Sequence, residues 1–183
     1  MNHLFTKIQT YSRLGFSNLL RVFLYRLYCL FRIGDRTNTV TLEAGPFFLP
    51  KELSNIPNLE VTKSWIDRGL WFSFHEFEIN GIPDWHANPF KKGVRAEDDL
   101  PWHKISDFSD DLGDIKIVWE ASRFDWVLKM AQRVRAGDDS ELSRLNEWLK
   151  DWVVKNPPYK GVNWKCGQEA SIRVMHLAMA TLI

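Results

Sequence analysis

The fold of this chain is decided by residues 114–179, which read DIKIVWEASRFDWVLKMAQRVRAGDDSELSRLNEWLKDWVVKNPPYKGVNWKCGQEASIRVMHLAM. Apolar residues recur here every three or four positions, which is the period of an amphipathic α-helix. This pattern predicts a first helix from about Val118 to Arg135. Its apolar face would consist of Phe124, Val127, Leu128, Ala131 and Val134.

Two interruptions divide the rest of this stretch into a second and a third helix. Gly137 stands where a glycine commonly follows a helix end, and Asp138 precedes Glu141 by three residues, as in a capping box. The second helix is expected to stop at Asn156-Pro157-Pro158, and the third to begin at about Gln168. Short connections between long amphipathic helices favour antiparallel neighbours, so the sequence predicts helical hairpins.

The composition is typical of a soluble globular protein, with 183 residues, 45% of them hydrophobic, and a net charge of +1. Nine tryptophans are many for this length, and they indicate either a large core or stacking surfaces for sugars or bases. Cys29 and Cys166 are far apart and match no metal-binding spacing, so we expect free, mostly buried thiols.

The first 32 residues contain five basic side chains and no acidic one. From Ser17 onward their pattern predicts a basic amphipathic helix that is too short and too charged to span a bilayer. No signal-peptide cleavage site follows, which predicts a cytoplasmic location. The helix would either dock on the rest of the protein or attach to a membrane surface. Its apolar face would consist of Leu20, Phe23, Leu24, Leu27, Leu30 and Phe31.

Residues 33–113 have a mixed pattern of strands and loops. Thr39–Leu42 and Phe77–Ile79 are predicted strands, the second entering a turn at Asn80-Gly81. Residues 80–113 form a long aromatic loop, and such loops are often functional. The alternative is that its tryptophans fasten it to the helices. The aromatic and histidine side chains of this loop include Trp85, His86, Trp102 and His103.

The usual signatures of enzymes are absent from the sequence. There is no glycine-rich phosphate loop, no His-x-x-x-His or Cys-x-x-Cys pair and no Gly-x-Ser-x-Gly. We therefore expect no metal, no cofactor and no nucleic-acid partner. What remains are Glu169, Arg173 and His176 on one helix face, and Glu120 with Arg123 three residues apart. By periodicity alone these are ordinary surface ion pairs.

Three segments, taken together, resemble the heparinase II/III-like polysaccharide lyases. They are Gly81–Pro89 (GIPDWHANP), Asp114–Phe124 (DIKIVWEASRF), and Asn156-Pro157-Pro158 with the following Gly161–Trp164 and Glu169–Arg173. They stand in the family's order at compatible separations and cover about residues 80–180. The basic beginning also resembles that of family members without a signal peptide.

The resemblance implies paired helices arranged as an incomplete α/α toroid, followed by a β-sandwich. The family cleaves acidic polysaccharides by β-elimination, in which a uronate carboxylate is neutralised, a base takes the α-proton and an acid protonates the leaving oxygen. The family's catalytic asparagine, tyrosine and histidine have no counterpart here, and Asn2-His3 stands in the wrong context. Because Met179–Ile183 is apolar without a helix stop, we expect the front part of a lyase, as a truncated product or fragment.

These inferences predict a mainly α protein with three regions. Residues 1–32 are a basic helical lead-in, 33–113 a mixed strand and loop region, and 114–183 the start of the toroid. The expected function is binding of acidic polysaccharide, without catalysis by this chain alone and with the C-terminal part of the same protein as partner. The alternative is a helical-hairpin module that binds a protein in a groove, and a periplasmic location is also compatible with the family. The residues expected to line or buttress the sugar cleft are Asn163, Trp164, Glu169, Arg173, Glu120 and Arg123.

Overall fold

A computed structural model describes residues 2–32, 45–49, 69–72, 75–77 and 81–183. The chain divides into two compact units, Met1–Asn38 and Thr39–Ile183. The mainly helical class is confirmed, whereas closure of the helices into a partial toroid stays a prediction. So do the predicted boundaries of the three regions.

The described part of the first unit, residues 2–32, contains two helices, α1 (Asn2–Leu14) and α2 (Phe16–Arg32). Gly15 separates them with a φ of +75°, a left-handed conformation that glycine adopts without the steric cost of a side chain. The amphipathic helix predicted from Ser17 onward corresponds to α2. No helix among the described residues is long and apolar enough to cross a membrane.

The strands that the structure describes in the second unit form two small antiparallel pairs. One pair joins β1 (Gly69–Trp71) to β2 (His75–Phe77), and the other joins β3 (Phe108–Ser109) to β4 (Gly113–Asp114). The strand predicted at Phe77–Ile79 therefore overlaps β2 at Phe77. Its last two residues, and the strand predicted at Thr39–Leu42, lie outside the described residues.

The helices of the second unit follow the predicted order. Among residues 81–183 they are α3 (Lys116–Trp119), α4 (Asp125–Arg135), α5 (Ser140–Lys155) and α6 (Gly167–Ala180). Short 3₁₀ turns occur at Trp102–Lys104, Glu120–Ser122 and Val162–Trp164. The second and third predicted helices are confirmed as α5 and α6. The first prediction is wrong in one respect, because the helix is interrupted between α3 and α4.

The interruption is located at Phe124, whose φ of 69° is left-handed. A non-glycine residue in this conformation costs roughly 1–3 kcal/mol, so packing must offset it. The Phe124 ring is buried, and its centroid lies 4.9 Å from that of Trp152 and 5.4 Å from that of Trp126. The two indoles also bind the broken segment, through Trp126 Nε1 to the Ala121 carbonyl and Trp152 Nε1 to Ser122 Oγ. Tertiary contacts thus override the helical periodicity of this stretch.

The connection between α4 and α5 confirms the predicted glycine ending but not the capping box. Gly137 has a φ of +97°, and its N–H donates to the Val134 carbonyl while that of Asp138 donates to the Arg133 carbonyl, as in a Schellman motif. The Asp138 carboxylate instead accepts from Ser140 Oγ at 2.6 Å, and this bond lowers the pKa of Asp138. Glu141 lies against Arg133 and Arg144 rather than reaching back to the helix start.

The core between the helices is built largely from tryptophan. α4 contacts both α5 and α6, and the Trp126 ring lies 5.5 Å from that of Trp85 and 5.2 Å from that of Trp148. Trp85 is fully buried, and its Nε1 donates to Asp151 Oδ2 at 2.7 Å. Of the two interpretations of the aromatic loop, fastening to the helices is therefore correct for Trp85. A second buried cluster contains Ala96, Ile105, Leu112, Ile115, Val118, Trp119 and Val162.

One side of α6 remains apolar and exposed. Val174, Met175 and Met179 keep 65%, 55% and 51% of their surface accessible. Because contiguous exposed apolar surface favours association, we expect the chain to self-associate at about 100 µM. Val174→Glu with Met179→Glu should restore a monomer in analytical ultracentrifugation. The control is Val154→Glu, which adds the same charge at a comparably exposed apolar residue on α5, and a wild-type chain that stays monomeric would contradict the expectation.

Candidate functional site

The six predicted site residues converge on α6 from three parts of the chain. Glu120 and Arg123 come from the interrupted helix, and Asn163 and Trp164 come from the 3₁₀ turn before α6. Glu169 and Arg173 belong to the first two turns of α6 itself. The structure brings these side chains together in two groups, one centred on Arg123 and the other on Arg173.

Arg123 is held by two carboxylates. Its Nε and Nη2 donate to the two oxygens of Glu169 at 2.8 and 2.9 Å, which is a bidentate pair. Its Nη1 donates to Glu120 Oε2 at 2.6 Å. The hydrogen bonds to Glu169 raise the pKa of Arg123, with a smaller contribution from Glu120. The guanidinium is therefore fixed in position and permanently charged.

The carboxylates are the buried members of this group. The side chains of Glu120 and Glu169 are 8% and 5% exposed, whereas that of Arg123 is 29% exposed. The second oxygen of Glu120 accepts from the Phe72 N–H at 2.6 Å, which ties the chain after β1 to the group. Hence the surface-pair interpretation is wrong for both glutamates, while the arginine keeps a face towards solvent.

His176 also reaches this group, as its position on the helix face of Glu169 predicts. Its Nδ1 lies 2.6 Å from the Arg123 carbonyl oxygen and 3.3 Å from Asp125 Oδ1. A carbonyl oxygen can only accept, so we assign the proton to Nδ1. The interrupted helix thereby contributes both a backbone and a side-chain contact to α6.

Arg173 is buried, with only 4% of its surface exposed. Its guanidinium carbon lies 5.0 Å from the Trp152 ring centroid and 5.4 Å from that of Trp164, and Nη2 donates to the Asn163 carbonyl at 2.8 Å. Burial lowers the pKa of Arg173 to about 10, and the charge of Glu169 partly opposes this shift. Its Nη1 is buried and has no hydrogen-bond partner among the described residues. The surface-pair interpretation is wrong for this residue as well.

Asn163 and Trp164 fasten the loop between α5 and α6. Asn163 Nδ2 donates to Asn156 Oδ1 at 2.8 Å and to the Trp85 carbonyl at 3.2 Å. Trp164 Nε1 donates to the Asn156 carbonyl at 2.8 Å. The sequence predicted Asn156 to be a helix stop and placed it in a lyase-like segment, but not among the site residues, yet it is 2% exposed and joins both partners. The position of Asn156, at the end of a helix and before two prolines, is the sequence signal that could have indicated this role.

The exposures separate two kinds of residue among the six. Arg123 and Trp164 are partly exposed and can touch a ligand. Buried positioning residues hold them in place; these are Glu120, Asn163, Glu169 and Arg173. Each half of the site therefore consists of one accessible side chain and a buried support.

His86, which sequence reasoning left unassigned, is a further buried titratable group near this loop. It is 2% exposed, its Nε2 has no hydrogen-bond partner among the described residues, and its Nδ1 lies 3.9 Å from Asp98 Oδ2. Burial lowers the pKa of His86, while the nearby carboxylates of Asp98 and Asp84 oppose the shift and Arg95 adds to it. Burial thus favours the neutral form of the imidazole in the folded chain.

The pKa of His86 predicts a loss of stability in acid. Because the folded pKa lies below the ordinary value of 6.5, the unfolded chain binds the proton more readily. The contribution of the neutral His86 imidazole to the free energy of unfolding is fully present above pH 6.5. It is lost as the pH falls towards the pKa of His86 in the folded chain. We expect the Tm of the wild type to fall more steeply between about pH 7 and pH 5 than that of His86→Gln. Parallel melting curves for the two proteins would contradict this.

The arrangement combines fixed charges with an aromatic face, which suits binding of a ligand. Two buried carboxylates are balanced by two guanidiniums, and an indole and a guanidinium face solvent. In the part of the chain that the structure describes, no group of three or more His, Cys, Asp or Glu side chains is placed to hold a metal ion. Comparisons with protein-family models, curated proteins and solved structures give no match to this chain.

Proposed function

We propose that this chain is the N-terminal part of a heparinase II/III-like polysaccharide lyase and forms a wall of its substrate cleft. The observation that carries the proposal is the fixed, partly exposed guanidinium of Arg123 between two buried carboxylates. Three of its N–H groups are used within the protein, and a guanidinium has five. We assign the two remaining donors to a uronate or sulfate group of the polymer.

Trp164 supplies the second element of the proposed cleft. Aromatic faces contact the apolar faces of ligands and exclude water from them. The Trp164 ring is held from behind by the Arg173 guanidinium at 5.4 Å and fixed by its own hydrogen bond to the Asn156 carbonyl. A ring held this firmly loses little conformational entropy when a sugar stacks on it.

In the proposed mechanism this wall binds and orients the polymer and carries no step of the elimination. Positioning a substrate beside its catalytic groups is itself a large part of catalysis. The base and acid of β-elimination, and the amide that neutralises the uronate, are assigned to the C-terminal part of the same protein. The heparinase II/III resemblance, in turn, rests on the three sequence segments at residues 81–89, 114–124 and 156–173.

Calorimetric titration with oligosaccharides tests the proposal. We expect the chain to bind alginate or heparan sulfate oligosaccharides with a Kd in roughly the 0.1–1 mM range and not to bind dextran oligomers, which carry no charge. Binding should weaken as salt is raised, because the contact is between charges. The ultraviolet absorbance that elimination generates should not rise. Equal binding of charged and neutral oligomers, or no binding of either, would overturn the proposal.

The exposed apolar side of α6 is the observation that favours the second candidate, a helical-hairpin module that binds a protein. Val174, Met175 and Met179 would then form the contact surface. A partner protein should bind wild-type chain and lose affinity on Val174→Glu, while oligosaccharide binding stays unchanged. The two candidates use different faces of the molecule and so are separable by this variant.

A further inference from the structure

Helix α2 presents an apolar face that is exposed rather than buried. Phe23, Leu30 and Phe31 keep 58%, 68% and 78% of their surface accessible. At 100° per residue the apolar side chains of α2 occupy an arc of roughly 140°. The residues on this arc are Phe16, Leu19, Leu20, Phe23, Leu24, Leu27, Leu30 and Phe31. Side chains of this size are normally withdrawn from water, which indicates that the face has an occupant.

The charges of this part of the chain are of one sign. Residues 1–32 carry five basic side chains and no acidic one, although the whole chain has a net charge of only +1. Arg26 lies at one edge of the apolar arc and Arg21 beyond the other edge, and both are exposed. An apolar face flanked by arginines is complementary to a surface that has an apolar interior and a negatively charged exterior.

We propose that α2 docks on the surface of an anionic lipid membrane, with its apolar face in the headgroup boundary and its arginines among the phosphates. Phenylalanine and leucine enter the acyl boundary, and arginine side chains reach the phosphate level with their apolar stems buried. The helix lies in the plane of the membrane. This surface is distinct from the proposed saccharide site, which is confined to residues of the second unit.

A membrane fits this helix better than a second copy of the chain does. Two copies of α2 brought face to face would place Arg21 and Arg26 of each near those of the other, with no acidic residue in either helix to compensate. Like charges brought together across an interface oppose association. Anionic phospholipid headgroups supply the opposite charge along the whole helix.

Vesicle co-sedimentation of the full chain tests this proposal. We expect binding to phosphatidylcholine vesicles that contain about a quarter phosphatidylglycerol, and at least tenfold weaker binding to pure phosphatidylcholine vesicles. Arg21→Gln with Arg26→Gln should reduce binding to the anionic vesicles by about tenfold. High salt should do the same to the unmodified chain, and this readout needs no variant to fold.

The apolar face is tested by Leu30→Ser with Phe31→Ser, which should reduce vesicle binding by at least tenfold. The control is Val22→Ser with Tyr25→Ser, two large exposed side chains (49% and 54%) on the opposite side of α2. It should bind as the wild type does. Equal binding to both kinds of vesicle, or equal loss in the two double variants, would overturn the proposal. So would a change of oligomeric state on Leu30→Ser/Phe31→Ser without any vesicle binding, because the occupant would then be a second copy.

Discussion

Replacing Arg123 by alanine is expected to lower the free energy of unfolding by about 3–5 kcal/mol, because it leaves two buried carboxylates without their cation. Glu120 and Glu169 are 8% and 5% exposed in their side chains, and both depend on this guanidinium. Neutralising both acids as well, with Glu120→Gln and Glu169→Gln, should recover much of the loss. The uncompensated charge, rather than the missing contact, dominates the cost. Urea unfolding monitored by tryptophan fluorescence measures these differences.

Arg95→Ala is the matched control for this prediction. Arg95 also faces two carboxylates, with Nε at 2.7 Å from Asp84 and Nη2 at 3.6 Å from Asp98. Its side chain is 53% exposed and those of its partners are 43% and 46% exposed, so solvent screens the pairs. We expect Arg95→Ala to lower the free energy of unfolding by at most about 1 kcal/mol. Similar costs for the two arginine variants would show that burial of the carboxylates does not decide the stability of the Arg123 group.

Arg173→Ala is expected to lower the free energy of unfolding by about 3–4 kcal/mol, because it opens a void between two tryptophan rings. The guanidinium lies 5.0 Å from one ring centroid and 5.4 Å from the other, and it donates to the Asn163 carbonyl. Arg173→Met should recover most of this loss, since an apolar chain of similar length fills the space without a buried charge. Arg173→Lys should recover little, because a compact, strongly hydrated ammonium does not stack between two rings.

The corresponding control is Arg144→Ala, in which a guanidinium 5.2 Å from the Trp148 ring centroid is removed. Arg144 is 27% exposed in its side chain, so we expect a loss of only about 0.5–1 kcal/mol. Thermal and urea unfolding of the four variants should rank Arg173→Ala and Arg173→Lys well below the other two. An Arg173→Ala variant within about 0.5 kcal/mol of wild type would show that the two rings close over the missing side chain.

The saccharide proposal makes a separate prediction for the same position. Arg173→Met retains stability but removes the cation behind Trp164, so oligosaccharide binding should weaken while the fold persists. A purely structural role for Arg173 predicts unchanged binding in this variant. The two outcomes are therefore distinguishable in a protein that remains folded.

Local sequence patterns predicted the helices well and their interruption poorly. Gly137 and Asn156-Pro157-Pro158 end α4 and α5 as expected, because glycine and proline act through the backbone of their own neighbourhood. Phe124 fits the apolar period of a continuous helix, and nothing near it in sequence favours a left-handed conformation. The cause is its packing against Trp126 and Trp152.

For the candidate site, too, the sequence predicted the local arrangement but not the long-range contacts. Spacing along α6 correctly placed Glu169, Arg173 and His176 on one face. The spacing gave no information about how deeply these side chains are buried, because burial depends on which elements cover that face. The bidentate pair joins Arg123 to Glu169, which are 46 residues apart, and no local pattern predicts such a partner. The resemblance to a lyase family grouped the same residues without indicating which of them face solvent.

The interrupted helix has a consequence for the order of events in folding. Every contact that fixes Arg123 to α6 joins residues far apart in sequence, including His176 Nδ1 to the Arg123 carbonyl, 53 residues away. Closing so long a loop costs conformational entropy, and this cost arises before any of these bonds has formed to offset it. We therefore expect the α4–α5 hairpin to form first and the site to assemble when α6 docks. Amide hydrogen exchange at α6 and at residues 120–124 should accordingly occur in a single opening event.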